Sequence, residues 1–342
     1  MAANGISTGT NLGDGTFAFR PTESVSREAM AAFLHRTGNG SYTAWSWGYN
    51  GDGELGDGTT TSRSTVGQVG TGTHWAQVAA GLYHTVAVKT DGTLWAWGNN
   101  GNGRLGDGTT TSRSTPVQVG TDTHWAHVAA GYGHTVAVKT DGTLWAWGNN
   151  FFGELGDGTI TNQLAPVQVG SDTHWAQVSA SNGHTAAVKT DGTLWAWGYN
   201  GYGGLGDGTT TSRSTPVQVG TDTHWAQVAA GWGHTVAVKT DGTLWAWGAN
   251  GYGGLGDGTT TTRLSPVQVG TDTHWATVSA GAYHTVAVKT DGTLWAWGYN
   301  YYGQLGDGTT TDRSTPVQVG TGTHWAQVSA GYGQTVALRS PS

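Results

Sequence analysis

A chain of 342 residues with a formal net charge of −7 and only 15 Lys and Arg has no basic stripe to neutralise phosphates, which argues against nucleic acid as a partner. No apolar run approaches the length of a membrane span, no signal peptide is read ahead of the repeats, and the lack of Cys excludes disulfides and thiolate sites. The 59 glycines recur at fixed places, so they read as turn chemistry rather than as a disordered linker.

Residues 1–38 stand apart from the rest. The run 27–36 predicts a short helix ended by Gly38, with Ser26 as N-cap, Glu28 in the first turn and Val25 placed to staple against Met30. Together with Gly5-Ile6-Ser7-Thr8-Gly9 and Asp14-Gly15-Thr16-Phe17, this stretch resembles the second half of an S-layer homology motif. The resemblance implies a bacterial parent protein, exported or held at the cell surface.

From residue 41 to 342 the chain repeats about every fifty residues, marked by Trp45/Trp47, Trp95/Trp97, Trp145/Trp147, Trp195/Trp197, Trp245/Trp247 and Trp295/Trp297. Such a period with several short β-runs per unit signifies a β-propeller. One unit predicts strand A at 125–130, B at 135–139, C at 143–147 and D at 166–169. Thr140-Asp141-Gly142 reads as a tight hairpin between B and C, because Asp-Gly tolerates positive φ. The first unit begins at C (Thr43-Ala44-Trp45-Ser46-Trp47), and the last supplies only A and B, at 325–330 and 335–339. The expectation is therefore an all-β fold: a six-bladed propeller of four-stranded blades, closed by pairing the C-terminal strands with the N-terminal ones.

The segment Ala-Ala-Gly-x-x-His-Thr, followed by Asp-Gly-Thr-Leu-Trp-Ala-Trp-Gly-x-Asn-x-x-Gly-x-Leu-Gly, runs from 130 to 155 and recurs; 297–306 is an especially close copy. It resembles the repeat of the regulator of chromosome condensation family. That resemblance implies a propeller, usually of seven blades, so a count of six departs from it. Nuclear members of the family act as exchange factors on a small GTPase, a role that suits an acidic chain without a basic tail poorly. Secreted bacterial propellers of the family inhibit β-lactamases through aromatic loop residues, which implies an inhibitor-like role as one form of protein binding. A plant photoreceptor of the family uses Gly-Trp-Arg-His-Thr; Gly231-Trp232-Gly233-His234-Thr235 occurs here once and without the Arg.

Alternating strand directions put the A–B and C–D loops on one face and the B–C and D–A links on the other. B–C is Lys-Thr-Asp-Gly-Thr in every unit, and D–A is nearly as constant. The A–B loops instead carry Tyr83, Tyr132, Trp232, Tyr283 and Tyr332, and the C–D loops carry Tyr49, Phe151, Phe152, Tyr199, Tyr202, Tyr252, Tyr299, Tyr301 and Tyr302. Eleven of the twelve Tyr, and the one Trp of nineteen outside a repeat position, lie in these two loops. Large aromatics on loops held by a rigid scaffold are the composition of a protein-binding paratope. The expected function is thus non-enzymatic recognition of a protein partner, with no cofactor. A carbohydrate-binding propeller and a symmetric scaffold without a ligand are the competing readings; the first would make a glycan the partner.

Other chemistry is set aside. His84, His134, His184, His234 and His284 close the A–B loops, with Gln334 breaking the series, and His74, His124, His174, His224, His274 and His324 precede strand A. One His per blade without Cys or carboxylate at ligand spacing reads as a structural hydrogen-bonder rather than a metal site. Asp57, Asp107, Asp157, Asp207, Asp257 and Asp307 in Leu-Gly-Asp-Gly-Thr read as turn stabilisers, since the spacing of a calcium loop is absent. No nucleophile–base–orienter set stands outside the repeats. The Trp-x-Trp pairs are expected to pack between adjacent blades.

Overall fold

The protein is described by a computed structural model over residues 42–339 and three short strands before them. These are β1 (Thr10–Asn11), β2 (Phe17–Ala18) and β3 (Met30–Arg36), followed by β4 (Tyr42–Gly48) and β5 (Arg63–Thr73). Beyond β5 come five four-stranded antiparallel sheets, each with strands A–B–C–D in sequential order. In the second of them A is Trp125–Ala130, B is His134–Lys139, C is Leu144–Gly148 and D is Gln163–Gln168. The B–C register repeats from sheet to sheet, with Thr135 opposite Trp147 here and Thr185 opposite Trp197 in the next. Asp141 fixes the B–C turn, its carboxylate accepting from the Thr143 amide at 3.0 Å and the Thr143 hydroxyl at 2.7 Å. Gly142 sits at φ +79, and a Cβ there would run into the Thr173 carbonyl of the following unit, so the hairpin doubles as a joint between units.

The cores lie between units. One cluster joins Val136, Leu144, Leu155 and Val169 of one unit to Trp175, Val178 and Trp197 of the next. The second Trp of each pair in the complete units (Trp97, Trp147, Trp197, Trp247, Trp297) is fully buried, as the inter-blade expectation requires. The first is only half-buried. Trp195 still packs against that inter-unit cluster, but from its margin, edge-on to Trp175 and under the Lys189 ammonium at 3.9 Å. Strand alternation explains the split only in part: Trp195 and Trp197 share one face, but Trp195 lies near the constant-loop end of its strand.

Two expectations need correction at the ends. Residues 30–36 form a strand, not the second half of a helix; the proposed cap at Ser26 and Glu28 lies outside the described residues. That strand also takes the edge reserved for ring closure. β3 pairs with β4 from Met30↔Gly48 to Arg36↔Tyr42, and β5 flanks β4 on the other side. The final strands, Trp325–Ala330 and Thr335–Arg339, form a two-stranded sheet of their own, so the described residues hold five four-stranded sheets between a three-stranded and a two-stranded one rather than the expected six four-stranded blades. The physical reason is chain entropy. A hairpin through the short link 37–41 closes a far smaller loop than pairing with the distant end of the chain. Leu338, without a C strand beside it, is 41% exposed, whereas Val138 and Val238 at the matching place are 2–3% exposed.

The constant face is held by a repeated ionic joint. Asp122 accepts from the His124 amide at 2.9 Å and bridges His124 Nδ1 and Lys139 Nζ at 2.8 and 2.7 Å. The same arrangement recurs at Asp172, Asp222 and Asp272. Gly322 stands in that place in the last unit, and His324 there adopts φ +76, a conformation that L side chains avoid. A Cβ at Gly322 would meet nothing nearer than 3.4 Å. Gly322→Asp should therefore restore the amide cap and pair with Arg339, stabilising the last unit by about 0.5–2 kcal/mol. Thermal unfolding should show a rise of a few degrees; an unchanged or lower midpoint would refute this account of the His324 backbone.

Candidate functional site

The C–D loops owe their shape to the Asn of the repeat motif, to which the sequence alone assigned no role. Asn100 is completely buried; its Nδ2 donates to Asp107 Oδ1 at 3.0 Å and to the Thr109 and Thr111 carbonyls at 3.0 and 3.2 Å, while its Oδ1 accepts from the Leu105 amide at 3.0 Å. Asp107 in turn accepts from Thr109 and pairs with Arg113 at 2.8 Å. The Asp of each Leu-Gly-Asp-Gly-Thr thus organises a loop, as expected. Its position as Gly-x-Asn in every unit was the available signal for the Asn. Against this fixed frame, the two or three residues after the Asn are free to vary.

The A–B loops are tied between units by the inner histidines. Nε2 of His134 lies 3.0 Å from Thr185 Oγ1 of the next unit, and His84, His184, His234 and His284 make the same contact with Thr135, Thr235, Thr285 and Thr335. Burial pushes these imidazoles down, to about 3 for His134, His184 and His284 and about 4 for His234. They are neutral structural ties. Among the described residues no group of three His, Asp or Glu is placed to hold a metal.

On this frame the variable aromatics meet one another. Trp232 stacks on Tyr283 with centroids 5.4 Å apart and planes 16° from parallel, and it touches Tyr332 at 5.3 Å. Tyr252 packs on Tyr283 and on Tyr299, and Tyr299 continues to Tyr301 and Tyr302. A second group links Phe151, Phe152, Tyr199 and Tyr202. Tyr83 and Tyr132 form a third, 5.5 Å apart. These contacts join A–B to C–D loops and so place both on one face. Tyr49 stands outside the groups and folds back over Gly51.

Part of this aromatic surface serves the scaffold. Phe152 reaches over Gly183, Tyr202 over Gly233 and Tyr302 over Gly333, each the A–B loop of the following unit. The rings nevertheless keep large free areas: Phe151, Tyr301 and Tyr302 are 64–70% exposed and Tyr202 is 52% exposed. Trp232, Tyr283, Tyr299 and Tyr332 are half-buried among them. Burial and the neighbouring phenols raise the hydroxyls of Tyr283 and Tyr299 above their ordinary value, so these two rings stay neutral at physiological pH. Each edge-on or offset pair contributes about 0.5–1.5 kcal/mol and holds the rings in place before any partner arrives. The inner strands enclose an axial cavity of about 880 Å³, and Leu82, Tyr132, Asn182, Trp232, Ala282 and Tyr332 ring its mouth on this face.

The RCC1-like domain family matches residues 29–338. The chain belongs to this family. Among solved structures it is similar to human WBSCR16, with 22% identity over 91% of this chain and 84% of that one and a TM-score of 0.81. It is likewise similar to Prp20p of Saccharomyces cerevisiae, with 23% identity, 90% and 81% coverage and a TM-score of 0.79; that structure was described with its binding properties to Gsp1p and histones. A second structure of yeast RCC1 (Prp20), 22% identical over 92% of this chain and 80% of that one with a TM-score of 0.79, is bound to Kap60. At such identity these likenesses establish the RCC1-like fold. None of the curated proteins matches the chain.

Proposed function

We propose that this RCC1-like propeller is a non-enzymatic recognition module that binds a protein through the aromatic face made by its A–B and C–D loops. The observation that carries the reading is the contiguous cluster of Trp232, Tyr252, Tyr283, Tyr299, Tyr301, Tyr302 and Tyr332, drawn from loops that vary far more than the strands and the opposite-face links of the unit. Rings that already pack on one another lose little side-chain freedom on binding, which is how aromatic paratopes gain affinity. The binding of protein partners by yeast Prp20 supports the same use of the fold. An extracellular setting at a bacterial surface rests on the S-layer-like resemblance of residues 1–38, most of which lie outside the described residues.

A glycan-binding propeller would repeat a similar pocket in each unit, yet the aromatic groups differ from sector to sector. The test is capture from bacterial secretome and envelope extracts. The bait is this chain beside a variant with Phe151, Phe152, Tyr202, Trp232, Tyr301 and Tyr302 replaced by Ala. A protein retained by the parent and reduced at least about tenfold with the variant is expected, since each lost hot-spot ring costs about 2 kcal/mol or more. Equal capture by both would sink the proposal. A glycan array on the parent chain reads out the rival.

A further inference from the structure

One side chain under the variable face has no structural reason for its charge. The repeat position four residues after the loop Asn holds Glu54, Arg104, Glu154, Gly204, Gly254 and Gln304 in successive units. Arg104 is only 6% exposed; its Nη1 donates to the Tyr132 carbonyl at 3.1 Å, and its buried Nε–H has no acceptor. The other described arginines of the C–D loops pair with Asp57, Asp107, Asp207, Asp257 and Asp307, but Arg104 forms no ion pair. His84 and His134 flank it, and both are held neutral by burial with the guanidinium charge adding to the effect. A desolvated, uncompensated guanidinium is costly in a folded protein, and a carbonyl acceptor does not offset its charge. Gln304 shows that the unit accommodates a neutral side chain at this place.

We infer that Arg104, bracketed by Tyr83 and Tyr132, is an anion subsite of the recognition face that takes a carboxylate side chain of the partner protein. Guanidinium matches a carboxylate with parallel charge-assisted hydrogen bonds, and Arg beside Tyr is the usual make-up of an interface hot spot. The choice of a carboxylate over a phosphate follows from the occupant: the partner is a protein, whose side chains carry their anions as planar carboxylates that match one guanidinium fork. Asp52 lies near enough to act on the Arg104 charge, which lowers the positive potential offered to any anion. The inference rests on the reading of the variable face as a binding surface, but its test does not use the unknown partner.

The test is a titration of the full chain with sodium acetate, inorganic phosphate and sodium chloride at matched ionic strength, following the Arg104 Nε–H and the Tyr83 and Tyr132 ring signals by NMR. Acetate should produce a saturable shift and bind at least about fivefold more tightly than phosphate or chloride. Arg104→Gln should abolish the response and leave the unfolding midpoint unchanged or raised, because a buried unpaired charge has been removed. Shifts that do not saturate, that persist in Arg104→Gln, or that favour phosphate would overturn the assignment. So would a clear fall in the midpoint of Arg104→Gln, which would make Arg104 a structural residue. Loss of the acetate response with aromatic-dependent capture intact removes this subsite alone. Saturable acetate binding without any captured protein supports the subsite while the wider face reading fails.

Discussion

Stability should fall steeply as pH drops below about 6.5, because five histidines are buried in their neutral form. In the unfolded chain each titrates near 6.5; in the fold four of them titrate at about 3 or 4, and His84 is also pushed well down. Between those values the unfolded state binds protons that the native state excludes, so lowering the pH favours unfolding. Each such His contributes up to about 1.4 kcal/mol per pH unit, or on the order of 7 kcal/mol per unit for five acting independently. The loss begins as pH passes the unfolded value and ends only when the folded values are reached. Below about pH 4 the aspartates of the constant face add to it. Asp172, Asp222 and Asp272, held at about 2 by hydrogen bonds from Lys and His, lose that stabilisation once protonated. Gln334 fills the His position in the last unit, so Gln is a replacement the unit already uses. Denaturant unfolding between pH 4 and 7 should give a slope that falls stepwise as His134, His184 and His234 are changed to Gln. An unchanged slope in the triple variant would refute the buried-neutral assignment.

The second large effect separates two tryptophans that look alike in sequence. Trp197→Ala should cost about 3–5 kcal/mol: the ring is fully buried between units, and its removal leaves a cavity that the rigid sheets cannot collapse. Its Nε1–H also donates to the Glu154 carbonyl of the preceding unit at 2.9 Å, so that buried acceptor loses a partner. Trp195→Ala should cost clearly less. That ring is half-buried, and its Nε1–H serves Thr193 within the same turn, 2.9 Å away. Its Lys189 contact is worth about 0.5–1 kcal/mol at such a site. Unfolding free energies for the two variants would settle the order; equal losses would contradict the placement of the inter-unit core.

Much of this was legible because the chain repeats itself. Strands A, B and C start and stop within a residue of where Trp125, Lys139 and Trp147 predict, and Asp141-Gly142 closes its hairpin as its chemistry demands. The separation of constant from variable loops by face also follows from strand alternation alone. The Trp-x-Trp pattern was less informative, since period-two spacing places both rings on one face of the strand without saying how far each lies from its end. The N-terminal segment departs from the expected helix because Ala, Met, Leu and Arg favour a helix only in isolation, whereas the open edge of β4 rewards an extended chain. Loop contacts such as Tyr202 over Gly233, and the orphaned charge of Arg104, depend on which unit follows which in space. No local pattern carries that.

The central claim is that one face recognises and the other only holds the units together. Hydroxyl-radical footprinting of the chain alone and in complex with its captured protein addresses both faces at once. The account predicts strong protection at Phe151, Tyr202, Tyr301 and Tyr302, with His124, His174, His224 and His274 on the constant face unchanged. Protection confined to those histidines, with the exposed aromatics as reactive as before, would contradict it.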